Sequence, residues 1–335
     1  MTASPRLRHP LRHLLAALLL PAGIAATLPT AAQDYPNKSV KVVVPYAPGG
    51  QADSGTRIIT AALSQLLGQA FVVENIGGSS GFSAMQNVMK AAPDGYTLTY
   101  QDSGHWAINP ALYPKIPYDT LRDFTPVGLY ASTTLFLVAP ASFPANTAQE
   151  AIALIRANPD KFTYASSGIG SPHHLTMEDF KAQLGLKVLH VPFKGTGQSI
   201  PALVGGQVSM GIAGLTSVAG FVKDGRVKLL AANAKARSIF APNVPTMGEV
   251  GNLPDFDHGG GLGIFAPAGT PRAIVDRLSQ AMAKAIATAD IKDKLGVVGL
   301  EPVPSTAPEK LIEAVRFDRP KFARIIKANN ITPEQ

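Results

Sequence analysis

The sequence of 335 residues contains no cysteine, which excludes disulfides, thiol catalysis and metal sites built on thiolates. Aromatic residues make up only 7%, with a single tryptophan, and basic residues are spread along the chain without runs. Because no basic stripe interleaved with aromatics occurs, we expect no nucleic-acid partner. The chain also lacks an uninterrupted apolar run of the about 20 residues that a membrane-spanning helix needs.

The N-terminus has the pattern of a secretory signal peptide. Arg6, Arg8 and Arg12 precede the apolar stretch 14–26, and small residues follow it. The stretch is shorter than a membrane span. We therefore predict that residues 1–32 are a signal peptide, cleaved near Ala32. No cysteine follows the cleavage region, so a lipid-anchored form is not expected, and the mature protein should be free in an exported compartment.

Charge and length limit what the mature chain can be. Removal of residues 1–32 takes away three arginines and no acid, so the formal net charge falls from +7 to +4. This mild excess is compatible with attraction of small anions. About 300 residues are more than one typical core holds and suggest two domains.

Strand-like apolar runs alternate with helix-like periodicity, which predicts an α/β fold with parallel sheets and helices on both faces. Residues 39–46, 69–75 and 95–101 are examples of the strands, and 271–287 reads as a terminal helix. Two segments, 126–140 and 258–267, have no helix of their own and are interpreted as crossings between domains. We expect a discontinuous first lobe, 34–134 plus 256–335, and a second lobe, 135–255.

Three glycine-rich turns, 47–53, 76–81 and 166–171, each stand between a predicted strand and a predicted helix. Such a turn presents unpaired N–H groups at the positive end of the helix and can bind an anion without a charged side chain. In a parallel sheet these turns lie at the carboxyl ends of the strands, where ligands bind. A glycine after a strand is also a common structural turn residue, so each turn alone has both interpretations.

One turn also matches a catalytic motif. Residues 77–81 read Gly-Gly-Ser-Ser-Gly, and the pattern G-x-S-x-G supports an alternative in which Ser79 is the nucleophile of a secreted α/β serine hydrolase. The glycine motifs at 168–173 and 195–200 lack the third glycine of a dinucleotide loop. His173 and His174 are adjacent and would point about 100° apart on a helix, so they cannot clamp one metal. We expect no cofactor and no metal.

Six motifs, in order, resemble those of the Bug-type solute receptors of tripartite tricarboxylate transporters. They are "YPNKSVKVVVPYAPGGQADSGTR", "VVENIGGSSGFSAMQNVMKAAPDGYTL", "YASSGIGSPHHLTMEDF", "HVPFKGTGQSIPALVGGQVSMGIAG", "VPTMGEVG" and "GIFAPAGTPRAIVDRL". The resemblance covers essentially all of the mature chain. It implies a periplasmic binding protein with two lobes of the type II kind and a cleft between them, not an enzyme. It also implies a monomer that delivers a small carboxylate to membrane transporter subunits, where the ligand is a mono-, di- or tricarboxylate, aromatic acids and amino acids included.

The resemblance also implies the binding residues. The first carboxylate loop supplies Tyr46, Ala47, Gly49, Gly50, Ala52 and Asp53, and the second supplies Ser167, Gly168, Gly170 and Ser171. We add Ser79, Ser103, His105 and Thr216 from neighbouring turns. The chain departs from the family at "HGGGLG", where a tryptophan is often found, so the distal end of the ligand stays open. A sensory receptor that presents its ligand to a membrane kinase would use the same fold and is a second alternative.

Overall fold

Two β-sheets form the framework of the protein, which we describe from a computed structural model over residues 35–333. The predicted signal peptide lies outside these residues. The described strands are β1 Val40–Val44, β2 Phe71–Asn75, β3 Thr97–Asp102, β4 Phe124–Thr133, β5 Leu135–Pro140, β6 Thr163–Ser166, β7 Leu189–Pro192, β8 Met210–Gly214, β9 Val227–Ala232, β10 Gly260–Pro267 and β11 Glu301–Pro302. The first sheet has the order β11-β4-β10-β3-β1-β2, and the second has the order β7-β6-β8-β5-β9.

Helices flank both sheets. They are α1 Gln51–Leu67, α2 Phe82–Met89, α3 Asn109–Leu112, α4 Thr120–Asp123, α5 Ala148–Ala157, α6 Pro172–Leu184, α7 Thr196–Val204, α8 Leu215–Lys223, α9 Met247–Gly251, α10 Arg272–Ala287, α11 Ala289–Val297 and α12 Pro308–Ala328. A short 3-10 turn, Ser79–Gly81, precedes α2, and a π-helical turn, Gly104–Ile108, precedes α3. The α/β fold class is therefore confirmed. Within the described residues no helix is long and apolar enough to cross a membrane.

The sheets are mixed, so the expectation of parallel sheets was only partly right. Strand β1 is parallel to β2 and β3, and β6 is parallel to β7 and β8. Strands β10 and β5, in contrast, are antiparallel to both of their neighbours. Parallel neighbours need a crossover connection, usually a helix. Strand β5 follows β4 without such a helix, and β5 and β10 run opposite to the parallel strands of their sheets.

One segment without a helix divides between the two sheets, and one prediction about an element was wrong. Segment 126–140 is two strands, β4 and β5, which belong to different sheets and part at Thr134. The helix at 271–287 is not terminal, because α11 and the 21-residue α12 follow it. Helix α12 buries Leu311, Val315 and Phe322 on one face. Pro320 stands inside it, where proline usually ends a helix.

The β-branched run of β1 explains its central place in the first sheet. Val42 and Val44 pack into the core on one side of the sheet, while Val43 packs into the core on the other. All three side chains are at most 1% exposed. A strand buried on both faces needs a continuous apolar sequence, and it brings the turn that follows to the edge of the sheet.

The chain passes between the sheets at Thr134 and returns between Ala232 and Gly260, and Asn233 joins the two passages. This fully buried amide accepts a hydrogen bond at Oδ1 from the backbone N–H of Leu135 (2.8 Å) and donates one from Nδ2 to the carbonyl of His258 (3.0 Å). Backbone hydrogen bonds run between the same residues. One residue thus ties both passages together.

Candidate functional site

Two adjoining cavities lie between the loops of the two sheets. The main cavity has a volume of about 650 Å³ and the side cavity about 440 Å³. Both are lined by the loop after β1 (residues 45–50, the first loop) and the loop after β6 (residues 167–171, the second loop). Because Tyr46, Ala47, Gly104, Ser167 and Pro172 line both, the cavities are parts of one cleft. The cleft lies at the carboxyl ends of parallel strands, where α/β proteins bind ligands.

The structure brings most of the predicted site residues to this cleft. The main cavity is lined by Tyr46, Ala47, Gly50, Ala52, Ser103 and Ser167, and the side cavity additionally by His105, Gly168, Gly170 and Ser171. Three others, Gly49, Asp53 and Thr216, line neither cavity. The side chain of Ser79 lies outside what the structure describes.

The first loop leaves the N-terminus of α1 open toward the main cavity. Gly50 is the N-cap residue in extended conformation, and no side chain caps the helix. Gln51 and Ala52, in the first helical turn, line the main cavity. The N–H groups of a first turn have no partner within the helix, and the helix dipole favours an anion there. The N-terminus of this 17-residue helix can therefore receive a carboxylate.

Asp53 lines neither cavity and fixes the first loop by hydrogen bonds. Its carboxylate accepts hydrogen bonds from the N–H of Gly49 (2.9 Å), from Nε of Arg57 (3.0 Å) and from Nδ2 of Asn75 (2.9 Å). Burial raises the pKa of Asp53, but the hydrogen bonds from Arg57, Gly49 and Asn75 outweigh it, and the pKa is lowered. The φ of Gly49, +85°, lies in the left-handed region, which glycine adopts without steric cost.

Substitution of this carboxylate tests its role. We expect Asp53→Asn to lower the free energy of unfolding by about 2 kcal/mol and to weaken carboxylate binding, because it removes a buried, hydrogen-bonded charge. Urea unfolding measures the first effect and calorimetry the second. The matched control is Asp276→Asn, which breaks an exposed Arg–Asp pair, also four residues apart, and should cost less than about 0.5 kcal/mol. Equal losses in both variants would contradict a role for Asp53 in loop fixation.

Histidines hold the last serine of β6 and the first serine of the second loop. Ser167 Oγ lies 2.8 Å from Nδ1 of His173, and Ser166 Oγ lies 2.7 Å from Nε2 of His190. Burial lowers the pKa of His173 to about 4. Burial, followed by the charge of His174, lowers the pKa of His190 to about 4 as well. Both rings are therefore neutral at pH 7 and bond to the hydroxyls without adding charge.

A third histidine supports the turn of the second loop. Gly170 donates its N–H to Nδ1 of His174 (3.1 Å), and Ser171 caps α6 by accepting from the N–H of His174 (3.2 Å). The ring of His174 stacks on that of His190 at 4.0 Å. Burial lowers the pKa of His174, which keeps Nδ1 free of a proton and able to accept. Protonation of this ring would remove the support of the turn.

Gly170 also meets the opposite side of the cleft. Its φ is +74°, and a Cβ there would lie 2.6 Å from Cδ2 of Leu112. Leu112 ends α3, which follows the π-helical turn after the first-sheet strand β3. The second loop therefore approaches the first-sheet side at a position that only glycine fits.

An ionised carboxylate, Asp102, lies in the wall of the main cavity and was missed as a site residue. Its Oδ2 accepts from the hydroxyls of Tyr46 (2.8 Å) and Tyr100 (3.0 Å), and its Oδ1 accepts from the N–H of Gly104 (2.9 Å) and lies 2.8 Å from Nδ1 of His105. Burial raises the pKa of Asp102, but His105 and the tyrosine hydroxyls outweigh it and lower the pKa. Tyr46 and His105 thus each use a polar side-chain atom for a hydrogen bond with Asp102. The feature of the sequence that could have identified Asp102 is the acid in "DSGHW", at a predicted strand end.

Other lining residues were also missed. Gly195 and Thr196 line the main cavity at the N-terminus of α7, which has no side-chain cap. Both belong to the motif at 195–200, which lacks the third glycine of a dinucleotide loop. Gly195 nevertheless stands between a strand and a helix, as the glycines of the three predicted turns do. The main cavity is also lined by Thr133, Leu135, His258, Gly260, Gly261 and Leu262. These come from the passages between the sheets and carry no motif.

Thr216 lies beside the cleft instead. A Cβ at Gly299 would lie 2.7 Å from Cγ2 of Thr216 and 3.4 Å from Nε2 of Gln51. Helix α8 therefore touches the segment before β11, near the first turn of α1. Among the described residues no group of three or more acidic or histidine side chains could hold a metal ion.

Comparison with known proteins identifies relatives over most of the chain. Residues 56–331 match the family model described as tripartite tricarboxylate transporter family receptor. Protein BugT of Bordetella pertussis is 32% identical over 307 residues, 91% of this chain and 93% of BugT.

Solved structures agree with this match. A structure of an R. palustris protein with adipate has a TM-score of 0.76 and 31% identity, and the match covers 90% of this chain and all of that one. MatC from Rhodopseudomonas palustris with bound malate has a TM-score of 0.71 and 34% identity, with 87% of this chain and all of MatC covered.

Proposed function

The chain belongs to the tripartite tricarboxylate transporter family of receptors, and on this premise we propose that it captures a small carboxylate in its cleft for a membrane transporter. It is a periplasmic solute receptor, as the family implies. The observation that carries the assignment to this cleft is that the open N-terminus of α1 and the second loop line the same main cavity. A carboxylate placed there receives N–H groups from one side and serine hydroxyls from the other.

We assign the carboxylate contacts to two sets of residues. Backbone N–H groups of the first turn of α1 and of the first loop hold one carboxylate oxygen, while Ser167 and the second loop hold the other. Tyr46, Ala47, Gly50 and Ala52 line the site on the first side. Asp53 and Gly49 fix the first loop without contacting the ligand, and His105 acts through Asp102. Binding needs no metal and no cofactor in this scheme.

The larger organisation follows the same proposal. Two lobes, 34–134 plus 256–335 and 135–255, each contain one sheet and close on the ligand by a hinge motion about the passages between them. The receptor works as a monomer, and its signal peptide is cleaved near Ala32. The family is one of receptors and not of enzymes, so the hydrolase alternative built on Ser79 is set aside, and nothing favours the sensory alternative.

A thermal-shift screen tests the function. We expect at least one carboxylate among acetate, hexanoate, benzoate, malate, adipate, citrate and glutamate to raise the melting temperature by several degrees at saturating concentration. Occupancy at 100 times the Kd adds about 2.7 kcal/mol to the stability, and for a chain of this size each kcal/mol raises Tm by about 2 °C. Primary amides of the same acids are the controls and should give no shift. Silence of every carboxylate at millimolar concentration would refute the proposal.

A further inference from the structure

His173 joins the second loop to the main cavity through the two nitrogens of its ring. It is the second residue of α6, lines the main cavity and is only half-buried. Its Nδ1 lies 2.8 Å from Oγ of Ser167. Its other nitrogen, Nε2, has no hydrogen-bond partner among the described residues and is not sealed from solvent. One nitrogen is thus bound to the second loop, and the other is available to a ligand.

The proton of the Ser167 hydroxyl decides what kind of group Nε2 of His173 can bind. A carboxylate only accepts hydrogen bonds, and a serine hydroxyl has a single proton to donate. When Ser167 donates this proton to a bound carboxylate, its Oγ has to accept from Nδ1 of His173. Burial lowers the pKa of His173 to about 4, so the ring is neutral at pH 7 and carries one proton. With that proton on Nδ1, Nε2 is an acceptor.

An acceptor at the cavity favours a ligand with a hydrogen-bond donor. A ligand that places only CH groups there displaces water and leaves Nε2 without a partner, which costs free energy. A carboxylate oxygen has no proton to donate and cannot replace the water. Because Nδ1 and Nε2 belong to one ring, the donor has to lie close to the carboxylate that Ser167 binds. A hydroxyl or an ammonium on the first or second carbon after the carboxylate meets this condition.

Other polar groups of the main cavity do not impose this requirement. The hydroxyls of Ser103 and Thr196 line the cavity, and a hydroxyl can either donate or accept. The N-terminus of α7 has no side-chain cap and can receive a further anionic group. Of the nitrogens of His258, Nε2 lies 2.8 Å from the carboxylate of Asp179, and Nδ1 is buried out of reach. The requirement for a donor therefore comes from His173.

We propose that His173 selects, among small carboxylates, those with a hydrogen-bond donor, a hydroxyl or an ammonium, on the first or second carbon after the carboxylate. The inference rests on the proposed function, because it takes the hydroxyl of Ser167 to be donated to the ligand. It applies to ligands with one carboxylate and to ligands with several. His173 contacts the donor directly, and its bond to Ser167 determines which ring nitrogen carries the proton.

Matched ligand series test the selectivity by isothermal titration calorimetry of the mature protein at pH 7.5. Succinate, L-malate and L-aspartate differ only in the hydrogen, hydroxyl or ammonium on the first carbon, and propionate, L-lactate and L-alanine form the same series with one carboxylate. Butyrate and 3-hydroxybutyrate test the second carbon. We expect the hydroxy or amino acid of at least one series to bind ten-fold or more tightly than the unsubstituted acid, which corresponds to about 1.4 kcal/mol. The hydroxyl and ammonium arms show which donor is used.

The outcomes of this titration separate the inference from the proposed function. If the thermal-shift screen identifies a different acid, its own hydroxy and amino derivatives form the series. A ratio below ten in every series that binds overturns the inference and leaves the proposed function standing. If no carboxylate binds in the titration or in the thermal-shift screen, the proposed function falls and the inference falls with it.

A variant at position 173 tests the residue. His173→Phe removes both nitrogens but keeps a planar ring, and the ratio of affinities between the substituted and the unsubstituted acid should fall at least three-fold, whatever happens to the absolute affinity. The control is His190→Phe, because His190 bonds to the neighbouring Ser166 and lines neither cavity. It should change the ratio less than three-fold. Circular dichroism establishes that both variants fold. A smaller fall in a folded His173→Phe protein, or an equal fall in both variants, would overturn the assignment to His173.

Nitrogen NMR of the wild type tests the proton position without any variant. In protein labelled with ¹⁵N-histidine and saturated with the tightest ligand of the series, we expect Nδ1 of His173 to carry the proton and Nε2 to be unprotonated. A protonated Nε2 in the bound protein would overturn the inference, because it could then donate to a carboxylate.

Discussion

Gly50→Leu is expected to weaken carboxylate binding at least 100-fold and to leave the free energy of unfolding within about 1 kcal/mol of the wild type. Gly50 has φ −76° and ψ 173°, a conformation that any residue adopts. A Cβ there meets nothing closer than the carbonyl of Ala47 at 4.0 Å. The added side chain is therefore tolerated by the fold, but it stands at the open N-terminus of α1, where we propose that the carboxylate binds. Calorimetry measures the affinity and urea unfolding the stability.

The control for this variant is Gly214→Leu. Gly214 is the N-cap residue of α8 with nearly the same backbone conformation, φ −71° and ψ 146°, and it lines neither cavity. Its substitution should leave binding within a few-fold of the wild type. Wild-type affinity in a folded Gly50→Leu protein would exclude the first loop from the site.

Gly170→Ala is a different case and should also cost stability. An alanine at position 170 has to adopt a left-handed φ, and its Cβ overlaps Leu112. Leu112→Ala in the same protein relieves the overlap but leaves the strain of about 1 kcal/mol. Partial recovery of affinity in the double variant would separate the overlap with Leu112 from the backbone strain at position 170.

The second large effect is a loss of stability in weak acid. The folded pKa values of His173 and His190 are lowered from 6.5 to about 4. Below pH 6.5 the unfolded chain binds protons that the folded chain resists, so stability falls as the pH drops from 6.5 toward 4. One pKa unit corresponds to about 1.4 kcal/mol, so the two rings together cost several kcal/mol by pH 4. His174, whose pKa is also lowered, adds to this loss.

The carboxylates affect the stability of the protein in a different pH range. Asp53, Asp102 and Glu178 have lowered pKa values, so their stabilisation is lost only as the pH falls below about 4. Melting temperatures from pH 7.5 to 4.5 therefore report the histidines. We expect a steep fall in the wild type and a smaller one in His190→Gln, whose side chain cannot take up a proton. A melting temperature that is flat between pH 6.5 and 4.5 would contradict the neutral histidine support of the second loop.

The carboxylate loops were predictable because their signals are local. A β-branched run followed by glycines and a helical period determines strand, turn and helix within about 20 residues, as in 42–57. The same pattern in 163–175 predicted the second loop. Both loops line the main cavity. Sequence reasoning also expected the two passages between sheets, since they lack helices of their own.

What could not be predicted depends on which way a side chain turns or on contacts distant in the chain. An acid at the start of α1 fits a ligand contact as well as loop fixation, and its bonds to Arg57 and Asn75 cannot be read from the local pattern. The cluster around Asp102 forms because β3 lies beside β1, which brings Tyr46 close. The break at Thr134 has no glycine or proline to mark it, because the change of sheet is a tertiary event.

The buried amide of Asn233 has a mechanical consequence. Since it hydrogen-bonds to both Leu135 and His258, the two connecting segments cannot bend independently without leaving buried polar groups unpaired. If the two proposed lobes move relative to each other, a rotation about an axis near this residue is the movement that keeps both of these hydrogen bonds. Every ligand that shuts the cleft would produce the same displacement of the outer surface, so a membrane partner could recognise the loaded state without sensing the cargo.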